Sequence, residues 1–434
     1  IMDINEIEPI FKKLGGKNTY TIKVFFEQKF TRSLFEKIVQ RFIYSTENGG
    51  LEYKYEMKSL LNVILPKANY NLTILGKDEV KRYWQNNKIP DDTDSFRKEN
   101  FIQTHVIDKF GVMVRLIGDE LKAIDKEVEV GLKDEKVVKE YIFKNYYEIK
   151  DPNWHFDTLL IEEKRVESGK NFRESGCLGG NPEYKMEIFF KHDFTHSVEF
   201  MEYFEQYLRW LLEEIQQTNF IVTVDEKRNL LSSFKKITRQ TELKGHNFIL
   251  PEPVQILRRN FHRAEKVPYV RENYSVTFLP RGELRFLYIP ENFSKNISGK
   301  IFMITRNFEV FNTGKNVEGF ENSLLEGYFC QNTNIFYITD IIFYKGNDLR
   351  NIKFYERNPG PTEKLRYDYL QQFNKEALQN SKYNDPNLRE ESVKFITARY
   401  FFGNEDSFWE NVRELLERTK QEEYAVSYTH LRAH

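Results

Sequence analysis

Short runs in which apolar and polar residues alternate recur through the first half of the chain and restrict it to folds rich in half-buried strands. In one run, Tyr70, Leu72 and Ile74 are separated by polar residues. Successive side chains of a strand point to opposite faces, so this spacing predicts a strand with one buried face. The same reasoning predicts strands at Val112 to Ile117, Tyr141 to Ile149, Trp154 to Glu162 and Tyr184 to Phe190.

Helical patterns lie between and after these strands. Ser33 and Glu36 have the spacing of a capping box, and apolar residues follow at helical intervals. Longer amphipathic helices are predicted at Val198 to Gln217 and at Ser407 to Lys420. An apolar stripe of this kind predicts a helix that packs over a core.

The chain has 434 residues, a length typical of two or three domains. Two prolines within Asn247 to Pro253 indicate a domain entry, so we predict one domain over residues 1–245 and a second over residues 246–426. Residues 427–434 read SYTHLRAH and resemble a translated sequencing adapter. We predict that this tail is foreign and that it cuts the second domain short.

Charge and cysteine content exclude several classes of protein. Lys plus Arg number 65 and Asp plus Glu 66, which gives a net charge of −1. Because there is no global basic field, any contact with RNA must come from a local cleft or tunnel. Two cysteines, Cys177 and Cys330, are too few for a disulfide framework or a zinc cluster. No stretch approaches the roughly 20 apolar residues that span a bilayer, so we expect a cytosolic protein without a membrane partner.

The segment YSVTFLPRGELRFLYI, Tyr274 to Ile289, resembles the nucleotide-attachment segment of the viral mRNA capping guanylyltransferases. In that family the segment reads Val-Thr-x-Lys-x-Asp-Gly-x-Arg, and the lysine amine attacks the α-phosphate of GTP. Here Leu279 occupies the lysine position and Arg281 the aspartate position, Gly282 is kept, and the arginine is either lost at Leu284 or displaced by one residue to Arg285. Leucine has no lone pair, so the resemblance implies a family member that has lost its nucleophile.

Later segments follow in the order of the same family, that of the capping enzymes of large cytoplasmic DNA viruses. GKIFMITRNFEVFNTG resembles a Leu-Ile-Asp-Arg hairpin, with Thr305 in place of the aspartate and Arg306 retained. NSLLEGYFC resembles a Leu-Leu-Asp-Gly-Glu strand, with Glu326 and Tyr328 at the acidic positions. IFYITDIIFYKGNDLRNIKF keeps the family aspartate as Asp340. Together these segments cover most of the second half.

The first half resembles, more weakly, the RNA 5′-triphosphatase domain of these giant-virus proteins. That domain is an antiparallel β-tunnel in which glutamates from facing strands hold a divalent metal, since carboxylates suit Mg²⁺ or Mn²⁺. Where relatives carry three inward glutamates, this chain has Lys185, Glu187 and Phe189. The opposing strand is either Tyr20 to Phe26 or Leu51 to Met57. We therefore expect a degraded metal site with Glu187 as a weak ligand.

The resemblance implies an α+β fold, with an N-terminal triphosphatase-like antiparallel β-tunnel followed by a partial nucleotidyltransferase domain of the guanylyltransferase and ligase type. The residues it suggests for binding the RNA triphosphate are Arg115, Lys164 and Arg165, and those it suggests for binding a nucleotide such as GTP are Gly282, Arg285 and Arg306.

Two functions are compatible with these segments. The first is an mRNA 5′-capping protein of the triphosphatase and guanylyltransferase family that lacks its nucleophile. The second is a non-catalytic paralogue that binds RNA 5′ ends or scaffolds viral transcription proteins. Either would work in the host cytoplasm, a viral factory or the virion, and DNA is not an expected partner.

Overall fold

The computed structural model describes residues 8–14, 20–28, 30–47, 54–67, 70–91, 93–97, 100–107, 109–118, 126–150, 156–190, 197–243, 257–263, 269, 271, 274–280, 282–291, 299–379, 392–403, 407–421 and 426–432. The chain forms two compact units, Ile1–Ile215 and Gln216–His434. The boundary predicted between residues 245 and 246 lies outside the described residues, so the two predicted domain ranges stay a prediction.

The first unit is built on one antiparallel sheet of nine strands, in the spatial order β4-β3-β2-β7-β8-β9-β1-β6-β5. In chain order these strands are β1 (Tyr20–Phe26), β2 (Lys54–Leu65), β3 (Tyr70–Leu75), β4 (Asp94–Arg97), β5 (Asn100–Ile107), β6 (Val112–Gly118), β7 (Lys139–Lys150), β8 (Phe156–Ser168) and β9 (Glu183–Phe190). Among the described residues β4 and β5 are the two ends of this order, so closure into a tunnel stays a prediction.

Five helices accompany this sheet: α1 (Glu8–Leu14), α2 (Arg32–Glu47), α3 (Lys77–Asn86), α4 (Lys126–Lys133) and α5 (Val198–Gln216). α5 buries an aromatic stripe against β8 and β9. The ring of Phe190 lies 5.9 Å from Phe200 and 5.2 Å from Phe204, and Phe11 of α1 approaches it to 5.0 Å. Rings of this size bury much of the apolar area of a core. One face of the sheet is therefore covered by helices.

The second unit holds a larger sheet in the order β13-β12-β11-β14-β15-β16, with β17 parallel to β15, and a three-stranded sheet in the order β18-β10-β19. Its strands are β10 (Tyr274–Pro280), β11 (Glu283–Ile289), β12 (Lys300–Thr305), β13 (Val310–Asn316), β14 (Ser323–Cys330), β15 (Ile335–Tyr344), β16 (Asn347–Asp348), β17 (Lys394–Thr397), β18 (Phe401–Gly403) and β19 (Val426–Arg432).

The described part of this unit contains three α-helices: α6 (Val224–Thr238), α7 (Arg366–Phe373) and α8 (Phe408–Gln421). α6 begins with a capping box, in which Thr223 accepts from the Glu226 amide and the Glu226 side chain accepts from the Thr223 amide. Its Phe234 packs against Tyr288 of β11, with the ring centroids 5.6 Å apart. α7 packs against the opposite face of the sheet, where a second cluster of buried side chains includes Phe336 and Leu370. The larger sheet is thus covered on both faces.

The alternating patterns identified the strands correctly: β3, β6, β7, β8 and β9 confirm the five predicted strands, and α5 and α8 confirm the two long helices. The predicted capping box of Ser33 and Glu36 is wrong. Thr31 accepts from the Leu34 amide at 3.2 Å, while Glu36 pairs with Arg32 at 2.7 Å. No helix among the described residues is long and apolar enough to cross a membrane.

The predicted foreign tail overlaps β19, which pairs antiparallel with β10. The pairing of β19 with β10 shows the position of the tail's backbone and does not test whether the tail belongs to the natural gene. Its foreign origin therefore stays a prediction. The nucleotidyltransferase identity of the second unit also stays a prediction.

Candidate functional site

The sheet of the first unit has one apolar face and one charged face. Phe156, Leu160 and Phe190 point into the core. The other face, called the charged face here, carries Lys23, Lys58, Arg115, Lys144, Glu148, Asp157, Glu163, Arg165, Lys185 and Glu187, whose cross-strand registers place them on one side. Charged side chains of adjacent strands are thereby gathered on one surface, among apolar residues such as Phe25 and Leu159.

Glu163 is the buried centre of this face. Its side chain is 3 % exposed, and three cations surround it: Lys185 Nζ at 2.7 Å, Arg165 at 3.2 Å and Lys144 Nζ at 3.4 Å. Burial opposes ionisation of the carboxyl, but Lys144, Lys185 and Arg165 outweigh it, so the pKa of Glu163 lies below its usual value. Glu163 is therefore a carboxylate at neutral pH, and its charge is compensated by protein cations.

A second ion-pair group lies on the same face. Glu148 of β7 contacts Lys58 of β2 at 2.5 Å and Lys150 at 3.5 Å. Burial opposes ionisation, but the hydrogen bond from Lys58 and the charge of Lys150 lower the pKa of Glu148. The pKa of Lys58 is raised because Glu148 and Glu56 outweigh its burial. Here too the carboxylates are paired with lysines.

The three residues suggested for triphosphate binding are not brought together. Lys164 and Arg165 are adjacent in β8 and point to opposite faces. Lys164 donates to the Leu178 carbonyl at 2.8 Å, whereas Arg165 lies on the charged face and pairs with Glu140 at 3.0 Å.

Arg115 lies far from Arg165 along the sheet. It shares a cross-strand row with residues 23, 189 and 157, and its guanidinium lies 5.0 Å from the centroid of the Phe25 ring. From residue 157 to residue 165 the strand advances about 3.3 Å per residue, or roughly 26 Å. One triphosphate cannot contact both arginines.

Glu187 does not form part of a metal centre among the described residues. Its cross-strand neighbours are Leu159 and Phe25, which offer no oxygen ligand. No group of three or more His, Cys, Asp or Glu in the described part of the chain is placed to hold a metal ion. Hard divalent cations need several oxygen ligands, so the described residues do not fit the Mg²⁺ or Mn²⁺ site that the resemblance implies.

The structure distinguishes the two candidates for the strand opposing β9. Tyr20–Phe26 is β1, which lies directly beside β9 and contributes Thr21, Lys23 and Phe25 to the charged face. The described part of the other candidate belongs to β2, which pairs with β3 and β7. Glu52 lies outside the described residues. Neither strand supplies the described face with a pair of free carboxylates.

In the second unit, the segment that resembles the nucleotide-attachment site forms β10 and β11. Leu279 lies in β10, where its backbone pairs with Tyr428, and Arg281 lies outside the described residues. At Gly282 an added Cβ would lie 2.7 Å from the Phe329 carbonyl oxygen and 3.2 Å from Cys330 Sγ. Glycine is required here because the β14 backbone approaches closely.

Arg285 is held by protein groups. Its guanidinium donates twice to the Glu283 carboxylate, at 2.6 and 3.0 Å, and its Cζ lies 4.5 and 4.7 Å from the ring centroids of Phe311 and Phe329. A charge-assisted pair and aromatic contacts of this kind hold an arginine in place. Its side chain is 10 % exposed. Arg285 therefore stabilises the sheet, and a role in binding a phosphate stays a prediction.

Arg306 is exposed in the turn that connects β12 to β13, one residue after Thr305. Thr305 is opposite Arg285 in the register and accepts from the Glu309 amide at 3.1 Å. Asp340, the family aspartate in the resemblance, is buried and pairs with Arg366 at 3.1 Å. Because Arg306 is exposed and Arg285 is buried, Arg306 is better placed than Arg285 to reach a ligand.

The sequence patterns missed the residues that organise the charged face. The resemblance suggests Lys164 and Arg165 of β8 as triphosphate-binding residues. The buried centre of the ion pairs is instead Glu163, which precedes them in the same strand. Period-two alternation through this segment was a signal that could have found it, because it places residues 161, 163 and 165 on one face. Lys144 and Lys58 could be found only from the strand order.

Comparison with protein-family models gives no match, and no curated protein matches. Among solved structures, the RNA triphosphatase domain of a mimivirus mRNA capping enzyme is similar, with 13 % identity and a TM-score of 0.36, over 49 % of this chain and 96 % of that one. An RNA triphosphatase of S. pombe has 8 % identity and a TM-score of 0.33, over 48 % and 90 %. At these identities and TM-scores, similarity does not assign an activity to this chain.

Proposed function

We propose that this chain is an mRNA 5′-capping protein of the viral triphosphatase and guanylyltransferase type that binds RNA 5′ ends without turning them over. The proposal draws on the ordered motifs of the second half, on leucine at the nucleophile position, Leu279, and on the charged face of the first unit.

The observation that carries the proposal is the environment of Glu163. Metal-dependent phosphoryl transfer needs carboxylates that are free to bind a metal cation. Here the carboxylate of Glu163 is already paired with lysine and arginine side chains at 2.7 to 3.4 Å. At the opposite end of the charged face, Lys23 and Arg115 lie directly opposite one another on β1 and β6. Neighbouring cations attract a polyanion such as a 5′-triphosphate.

The test separates binding from turnover. Short RNA bearing either a 5′-triphosphate or a 5′-hydroxyl is titrated into the full chain, and γ-phosphate release is measured with Mg²⁺ and with Mn²⁺. We expect tighter binding of the triphosphate end and release at the uncatalysed rate. Arg115→Ala should weaken the preference for the triphosphate end.

Arg82→Ala is the matched control, because Arg82 is an exposed arginine of the same unit, paired with Glu79 at 2.7 Å, outside the charged face. Equal affinity for both RNA ends would refute the binding role. Metal-dependent turnover that disappears in Glu187→Ala would show an active triphosphatase.

A further inference from the structure

The second unit carries an exposed aromatic stack. Phe261 ends the short 3-10 helix Arg258–Phe261, and Trp409 lies in the first turn of α8. Their rings are 5.8 Å apart between centroids with an interplanar angle of 12°, and the Phe408 ring meets Trp409 edge-on at 4.9 Å. The Trp409 side chain is 54 % exposed. Trp409 is thus largely open to solvent although its ring contacts Phe261 and Phe408.

Three exposed arginines lie within four positions of these two rings along the chain. In a 3-10 helix, residues three apart share one side, so Arg258 lies on the side of Phe261, and Arg259 follows about 120° around the helix. Arg413 follows Trp409 by one turn of α8 and lies on the same helix face. We call Arg258, Arg259, Phe261, Trp409 and Arg413 the arginine–tryptophan patch.

The arginines of this patch differ from those of the unit's interior. Within the described part of the chain, none of the three has a carboxylate at ion-pair distance. Arg350 and Arg366, in contrast, pair with aspartates at 2.6 and 3.1 Å. The acidic residues of α8 at positions 410, 414 and 417 form a neighbouring stripe, about 100° around the helix from Trp409. The patch therefore presents three guanidinium groups that make no ion pair with a described carboxylate.

We propose that the arginine–tryptophan patch binds single-stranded RNA, with one base stacked on Trp409 and the adjoining phosphates at Arg258, Arg259 and Arg413. An exposed ring accepts any base, because every base has a π face, and guanidinium groups bind phosphate oxygens. An acidic protein segment would use the arginines but would gain little from a flat, exposed indole. The inference does not depend on the proposed role of the first unit, because it needs no 5′-triphosphate.

The test uses the full chain and a short, fluorescein-labelled single-stranded RNA with a 5′-hydroxyl. Anisotropy gives Kd, and quenching of tryptophan fluorescence reports stacking. We expect Trp409→Ala to weaken binding about tenfold and to remove most of the quenching, and Trp409→Phe to retain most of the affinity. Arg258→Ala combined with Arg259→Ala should lower the slope of log Kd against log salt by about 1.4.

Arg357→Ala is the matched control, because Arg357 is also exposed in the second unit with no described partner, and it should bind like the parent. Absence of binding, or binding unchanged by Trp409→Ala, would overturn the proposal. Displacement of the RNA by polyglutamate at equal charge concentration would instead assign the patch to an acidic protein. Circular dichroism checks folding; if Trp409→Ala is unfolded, Trp409→Phe and the double arginine variant decide.

Discussion

Lys185 Nζ lies 2.7 Å from the carboxylate of Glu163, at diagonal positions of the neighbouring strands β9 and β8. At this position of β9, the resemblance to capping enzymes implies an inward glutamate. A carboxylate there would repel Glu163, whereas the ammonium neutralises it. Lys185 therefore compensates the charge of Glu163 within the sheet.

Glu163→Gln should destabilise the protein. The change leaves Lys144, Lys185 and Arg165 beside a neutral amide in a partly buried site. Removing one partner of a fully buried pair costs about 3–5 kcal/mol, and partial exposure of these cations reduces the expected loss to about 1–3 kcal/mol. Chemical denaturation followed by far-UV circular dichroism measures it. Glu36→Gln, in an exposed pair with Arg32, is the control and should cost less than about 0.5 kcal/mol.

Stability should fall in acid through Glu163 and Glu148. Their pKa values are lower in the folded chain than the ordinary 4.5, so the unfolded chain binds protons first as pH falls. Their contribution is complete above about pH 4.5 and is lost as pH falls through the lower, folded-state values. Melting temperatures between pH 7 and pH 3 test this, and the decrease should be shallower in Glu163→Gln. An equal decrease in both proteins would contradict the assignment.

Lys139→Met should destabilise the first unit although it adds apolar surface. Lys139 is 1 % exposed, and its ammonium donates to the carbonyls of Asp134, Val137 and Gly169 at 2.8, 3.2 and 2.9 Å. Methionine leaves these acceptors without the charged donor, a loss of about 2–3 kcal/mol. Denaturant midpoints measure it. Lys136→Met, at an exposed position nearby, should have little effect.

Gly282→Ala should destabilise the second unit, because its Cβ would lie 2.7 Å from a backbone oxygen that cannot rotate away. We expect a loss of about 1–3 kcal/mol, as for other overpacked sites. Gly360→Ala is the control, since its Cβ would meet only the Glu363 side chain at 3.7 Å. A similar melting temperature for both variants would show that β11 and β14 can separate at no cost.

Incubation with α-labelled GTP and Mg²⁺ should give no GMP adduct that survives denaturation, because Leu279 cannot act as a nucleophile. Leu279→Lys alone should also fail, since the acidic positions hold Arg281 and Tyr328. Combining Leu279→Lys with Arg281→Asp and Tyr328→Glu is the variant most suited to recover an adduct. A labelled band from the parent protein, mapped to any lysine, would refute the loss of the nucleophile.

Alternation in the sequence predicted the strands well because one face of each is buried against helices. In β9, Met186, Ile188 and Phe190 are buried and the residues between them are not, so the period of two survives in the sequence. Helix α5 was equally clear. The cap of α2 was misassigned because Thr31 and Ser33 are both good caps, and only the backbone decides between them.

The candidate site was harder to predict because it depends on strand order. Glu163 and Lys185 are 22 positions apart in the chain. This separation alone does not predict a contact, because many other residue pairs with the same separation are not in contact. Lys58 and Glu148 are 90 positions apart. Ion pairs across a sheet leave no local pattern, since each residue alone resembles a solvated strand position. The resemblance identified β9, and it could not show which cations surround Glu163.

The opposite orientations of Lys164 and Arg165 imply that β8 tolerates one kind of genetic change far better than another. Substitution alters a single contact on a single face. Deletion of one codon early in β8 would move every later side chain to the other side of the sheet, placing Glu163 and Arg165 in the apolar core and Leu160 and Val166 among the ions. Because β8 pairs with β7 along its whole length, such a shift could not be confined to one end. Homologous proteins should therefore show amino-acid substitutions in β8, while the number of residues in this strand stays constant.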